Sequence, residues 1–127
     1  MKYIIGSLAV GFLMFPYCFA ESHVAYVRAK TVEEKIEIQA TKLSLNPKLV
    51  KKIVNCESKG KQIARGHLAV VGVDIGVFQL NSHFHEVKAK EKGFDIYDED
   101  DNIAYGLWLM KKEGTMPWKS SRLCWNG

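Results

Sequence analysis

The chain has 127 residues, 47% hydrophobic and 25% charged, with 11% aromatics, 10 Gly, 3 Pro and a formal net charge of +4. This composition excludes collagenous, low-complexity and mostly disordered chains, and it fits a single globular domain. The lysines are scattered, without the arginine-rich clustering of a nucleic-acid binder, so no nucleic-acid partner is expected; the charge suits solubility or a polyanionic envelope polymer. In chain order, Met1 and Lys2 precede an apolar run from Tyr3 to Phe15, then Pro16 and the small-x-Ala sequence Cys18-Phe19-Ala20. That order reads as a secretory signal peptide over residues 1–20, cut after Ala20. The run is too short to span a bilayer comfortably, so no stable membrane insertion is expected after cleavage. Residues 21–127 then form one exported domain, periplasmic or secreted, with a net charge of about +3 once Lys2 is lost.

Two cysteines remain, Cys56 and Cys124. In an oxidising compartment an even count in a small domain is most simply one disulfide. No metal is expected, because neither cysteine has a second Cys or His at chelating spacing and Ala89 stands where a zincin helix needs histidine. Thr31-Val32-Glu33-Glu34 is a capping box, and Ile36, Ala40 and Leu43 recur at helical spacing, which predicts a helix over about 32–44. Asn46-Pro47 caps a second helix whose apolar face carries Val50, Ile53, Val54 and then Glu57. Residues 68–80, rich in Val and Ile and broken by Gly72 and Gly76, predict a short hairpin or irregular β segment. A helix follows over about 82–92 and ends at Gly93. The acidic run Asp98-Glu99-Asp100-Asp101 caps a last helix that stops at Gly114. A calcium loop is excluded there, because Ile103 and Leu109 replace the required glycine and glutamate. The tail bearing Trp118, Cys124 and Trp125 is predicted to fold back onto the second helix.

Glu57 is the residue with the most to say about chemistry. An ionised carboxylate among Val50, Ile53 and Val54 is costly. Either its pKa rises, which makes a general acid, or it turns to solvent and pairs with Lys52 or Lys59. Further along, Gln79 and Asn81 stand two apart on a segment expected to be extended, which puts both amides on one face, able to read N-acetyl and hydroxyl groups or to bond local backbone.

Glu57-Ser58 is followed seventeen positions later by Asp74-Ile75-Gly76-Val77-Phe78-Gln79-Leu80-Asn81-Ser82. This combination resembles the lysozyme superfamily: a glutamate-serine pair ending a helix and then Gly-x-x-Gln-Leu is the pattern of SLT-type lytic transglycosylases, and the longer string is similar to c-type lysozymes. Asp101-Asn102-Ile103-Ala104, Trp118 and Cys124 extend the resemblance. It implies a mainly α lysozyme-like fold of the α+β kind, a helical domain with a small β-hairpin lobe and an active-site cleft between them. It also implies cleavage of the MurNAc-GlcNAc β-1,4 linkage of peptidoglycan. Glu57 would be the general acid, and Asp74 the nucleophile or electrostatic stabiliser, as in the lysozyme pairing of an apolar-pocket glutamate with a solvated aspartate. Ser58, Gln79, Asn81 and Trp118 would contact substrate, and a Cys56–Cys124 disulfide would tie the catalytic helix to the tail. No cofactor is implied. The expected partners of this monomer are peptidoglycan glycan strands and a secretion or pilus machine. The low cysteine count favours a bacterial lytic transglycosylase over a hydrolytic muramidase, and a non-catalytic peptidoglycan-binding component is the alternative from another class.

Overall fold

The computed structural model describes residues 28–64 and 67–127, so the signal-peptide expectation for residues 1–20 lies outside the described residues. The described chain is mostly helical, with two small antiparallel sheets. Helix α1 (Val32–Lys42) starts where its sequence predicts: the Thr31 hydroxyl accepts from Glu34 N–H at 3.2 Å while Thr31 N–H donates to the Glu34 carboxylate at 2.8 Å. Helix α2 (Pro47–Ser58) begins with the Asn46 side chain accepting from Lys48 N–H at 3.0 Å, and it buries Val50, Ile53 and Val54. It ends where Lys59 takes a left-handed φ of 59°.

The β lobe starts earlier than its Val/Ile content suggests. Strands β1 (Ile63–Ala64) and β2 (His67–Leu68) pair as one ribbon, and β3 (Val70–Val71), β4 (Asp74–Ile75) and β5 (Leu80–Asn81) form a second sheet in the order β3-β4-β5. The register sets Asp74 opposite Asn81 and Ile75 opposite Leu80. Directly opposed residues of an antiparallel pair project to the same face, so Asp74 and Asn81 share one side of the lobe.

Helix α3 (Ser82–Glu91) leaves β5 without a break, and among its residues only Ala89 is fully buried. Helix α4 (Glu99–Glu113) is the central helix. The Asp98 carboxylate caps it by accepting from the N–H groups of Asp100 and Asp101, and seven of its residues are buried. Lys35 joins α1 to its first turn through Glu99 at 2.7 Å and Asp100 at 2.6 Å. The chain closes with a 3₁₀ turn (Met116–Ser121) and the short α5 (Arg122–Trp125). The Cys56–Cys124 disulfide forms, with Cα atoms 6.0 Å apart, and holds α5 against α2.

Two glycines let the lobe dock on α4. Gly76 has φ +71°, and a Cβ there would lie 2.2 Å from the Gln62 amide oxygen and 2.5 Å from the Asn102 amide nitrogen. A Cβ on Gly106 would lie 2.4 Å from the Phe78 ring, which packs flush on the bare helix backbone. Asn102, fully buried, then holds the turn between β4 and β5: its oxygen accepts from Phe78 N–H at 3.0 Å and its nitrogen donates to the carbonyls of Ile75 at 3.0 Å and Ile96 at 2.7 Å. Gln62 adds a second clamp, accepting from Val77 N–H at 3.0 Å and donating to the Tyr97 carbonyl at 3.0 Å. Among the described residues no helix is long and apolar enough to cross a membrane.

Candidate active site

A cleft of about 380 Å³ opens between the β lobe and the helical body. Glu57 stands on its wall because α2 runs only one residue further before the left-handed turn at Lys59. The apolar face that precedes it leaves its carboxylate half-buried, and the alternative of a side chain paired with Lys52 or Lys59 is not what forms among the described residues. Instead Glu57 Oε1 accepts a hydrogen bond from the Ser121 hydroxyl at 2.5 Å. Burial raises the Glu57 pKa above the ordinary carboxylate value, the Ser121 hydrogen bond opposes that rise, and the negative charge of Asp74 adds to it. The neutral, protonated form is thereby favoured in the way a general acid requires.

Asp74 lies on the same cleft, carried by β4 opposite Asn81 of β5. The Asn81 side-chain oxygen is buried on this wall without a hydrogen-bond partner among the described residues. An unpaired buried acceptor is rare and suits a ligand N–H. Gln79 also lines the cleft, but it is not extended: the backbone turns through residues 76–79 and Gln79 has a φ of 48°. Its amide nitrogen donates to the carbonyls of Gly76 at 2.8 Å and Ala69 at 3.1 Å, so its donor braces the turn and the shared face predicted for Gln79 and Asn81 does not form by strand alternation. The reason is tertiary, since Gly76, Gln62 and Asn102 together bend this segment against α4.

Ser58, next to Glu57 in the chain, is not among the residues that line the cleft. Its hydroxyl donates to the Val77 carbonyl at 2.7 Å and accepts from Lys61 N–H at 3.2 Å, stitching the end of α2 to the turn that precedes β5. Trp118 reaches the cleft as a buried floor rather than an open wall: its indole N–H donates to the Phe78 carbonyl at 2.9 Å and its ring packs on Phe78 with centroids 5.4 Å apart. Phe78 itself is buried in the core. Trp108 is partly buried and packs against the core. Of the histidines, His83 is exposed, while His85 is half-buried at the edge of the cleft with Nδ1 3.2 Å from the Tyr105 hydroxyl. Burial and the nearby Lys88 charge lower the His85 pKa against an opposing Glu113 charge, which favours the neutral imidazole.

Ser121 is the site residue that motif reasoning misses. A chain of donors runs from the Trp125 indole N–H to the Ser121 oxygen at 3.1 Å and from the Ser121 hydroxyl to Glu57. The Ser121 oxygen also lies 3.1 Å from the Trp118 carbonyl, so when Glu57 is protonated the serine can accept from it and donate to Trp118 instead. The signal that could have pointed there is the disulfide: Cys56 adjoins Glu57, so whatever lies one helical turn before Cys124 is brought to the carboxylate. Phe84 and Glu113, also unforeseen, complete the rim. Among the described residues no group of three His, Cys, Asp or Glu side chains is arranged to hold a metal. No protein-family model matches the chain, and no curated protein matches it significantly.

Proposed function

We propose that this chain is an exported glycosidase of the lysozyme-like superfamily that cleaves the MurNAc-GlcNAc β-1,4 linkage of peptidoglycan, acting as a lytic transglycosylase with Glu57 as general acid and base. The observation that carries the reading is Glu57 itself, a half-buried carboxylate on a cleft wall whose protonated form is favoured by desolvation and by the neighbouring Asp74 charge. Such a group can give a proton to a glycosidic oxygen near neutral pH. The cleft lining contains no Lys or Arg, which suits an uncharged sugar chain, and the unpaired Asn81 oxygen suits an N-acetyl N–H.

In the lytic reaction the Glu57 proton goes to the leaving oxygen as the bond to C1 breaks, with the substrate's N-acetyl group supporting the oxocarbenium-like carbon. The Glu57 carboxylate then takes the proton of the muramoyl 6-hydroxyl while that oxygen bonds to C1, forming the 1,6-anhydro ring and restoring the acid. Ser121 follows both states of Glu57 by reorienting one hydroxyl. Asp74 favours a second reading, hydrolysis by a two-carboxylate muramidase, because it lies on the same cleft and its charge acts on Glu57. The protein would work in the cell envelope as a monomer on glycan strands, alone or beside a secretion or pilus apparatus.

The test is mass spectrometry of purified peptidoglycan digested with residues 21–127, beside Glu57→Gln and Asp74→Asn. Glu57→Gln is expected to slow cleavage by roughly 10²–10⁴-fold, the usual worth of a general acid. Products one water lighter, with 1,6-anhydro ends, identify the lytic route, and new reducing ends that depend on both carboxylates identify hydrolysis. Full activity in Glu57→Gln would refute the mechanism, and digestion of no glycan by the parent protein would leave the non-catalytic binding role as the better description.

A further inference from the structure

Beside the cleft lies a second cavity of about 440 Å³, between the C-terminal half of α3 and the C-terminal half of α4. It meets the cleft through three shared residues, His85, Leu109 and Glu113. Its electrostatics are opposite in kind. The cleft is lined by the carboxylates of Glu57, Asp74 and Glu113 with no Lys or Arg, whereas the second cavity carries Lys88, Lys92 and Lys112 against Glu91 and Glu113. Trp108 forms an aromatic surface here, and the ammonium groups of Lys92 and Lys112 stand 4.5 Å and 5.2 Å from its ring centre. That contact keeps two cations near the cavity, Lys92 with no carboxylate partner and Lys112 with a long one. Among the described residues Lys88 and Lys92 form no ion pair, and Lys112 meets only Glu113, at 3.9 Å.

In a ligand that extends from the cleft into this cavity, an acidic group is better placed against the three lysines of the second than among the carboxylates of the first, with apolar groups to cover the indole. A peptidoglycan strand has that form, because the glycan is a neutral chain and the short peptide on its lactyl group carries free carboxylates and methyl side chains. We propose that the Lys92–Trp108–Lys112 cavity binds the carboxylate-bearing peptide branch of the strand whose sugars occupy the cleft. This rests on the glycosidase reading above and adds to it a preference for peptide-substituted strands. The volume falls within the range of small-ligand sites, and an acidic branch placed in the cleft itself would meet like charge.

The experiment uses calorimetric titration of the Glu57→Gln variant, which keeps the cleft but turns over far more slowly, with peptidoglycan oligosaccharides bearing their peptides and with the same oligosaccharides stripped by an amidase. Peptide-bearing oligosaccharides should bind about tenfold tighter, the combined worth of two partly exposed charge contacts. Adding Lys92→Gln and Lys112→Gln should bring their affinity down to that of the stripped ones, whose binding stays unchanged. Equal affinity for both ligands, or an equal loss for both in the triple variant, would overturn the peptide site while leaving the glycosidase reading intact. Failure of both ligands to bind, together with no cleavage by the parent protein, would overturn the glycosidase reading and the peptide site with it.

Discussion

Replacing Asn102 with alanine tests how the cleft is held open. The amide is fully buried and serves three backbone groups at once, Phe78 N–H, Ile75 C=O and Ile96 C=O. Of these the Phe78 N–H has a single proton to donate and is stranded in the interior, a loss of about 1–3 kcal/mol. The two carbonyls each lose one partner, worth about 1 kcal/mol apiece, although Ile96 keeps a long bond from Gln62 at 3.4 Å. With the small cavity left behind, the expected cost is roughly 3–5 kcal/mol, a large part of the 5–15 kcal/mol typical of a domain. Urea unfolding followed by far-ultraviolet circular dichroism should show the midpoint falling by a molar or more, given a slope of about 1–3 kcal/mol/M. Asn102→Asp is the sharper control. It keeps an acceptor for Phe78 but turns a carboxylate oxygen toward two carbonyls, so it should be worse at neutral pH and partly recover in acid, where a protonated carboxyl donates again. A loss under about 1 kcal/mol in the alanine variant would refute the assignment of Asn102 as the clamp of this turn.

Further predictions concern Glu57 and its supports. Ser121→Ala removes the hydrogen bond that favours the Glu57 carboxylate, so the Glu57 pKa should rise further and the alkaline limb of the cleavage pH profile should move to higher pH; an unchanged or lowered limb would show that Ser121 does not act on this carboxyl. A carboxylate whose folded pKa lies above its unfolded value favours the fold while protonated, and that advantage is lost as pH rises through the folded pKa. Glu57→Gln should therefore melt higher than the parent at pH 7, with the difference closing as pH falls below the unperturbed value near 4.5; calorimetry showing a larger gain in acid would contradict the sign. Cys124→Ser opens a loop with a sequence separation of 68, worth roughly 4 kcal/mol on the loop-entropy account. Its melting temperature should drop by at least about 15 °C, and a drop no larger than that of a surface substitution would mean the covalent loop contributes little.

Much of the helical frame is legible in the sequence, because its signals are local. Thr31 with Glu34, Asn46 with Pro47, and Asp98 with the acids after it each cap the helix they precede, and their bonds close within three or four residues. The apolar spacing of Val50, Ile53 and Val54 likewise dictates which face of α2 turns inward, and Glu57 follows it to the end of the helix. The cysteine count was enough to pair Cys56 with Cys124. The geometry of the site was not legible in this way, since its contacts join residues far apart in the chain. Gln79 looks like the next residue of a strand until Gly76, Gln62 and Asn102 bend its segment against α4. Ser121 is an ordinary serine until the disulfide and the Trp125 indole bring it to Glu57, sixty-four positions away. Caps and periodicity are properties of one turn of chain, but a shared carboxylate environment exists only once the lobe, α2 and the tail have packed, because desolvation and hydrogen bonding act through space.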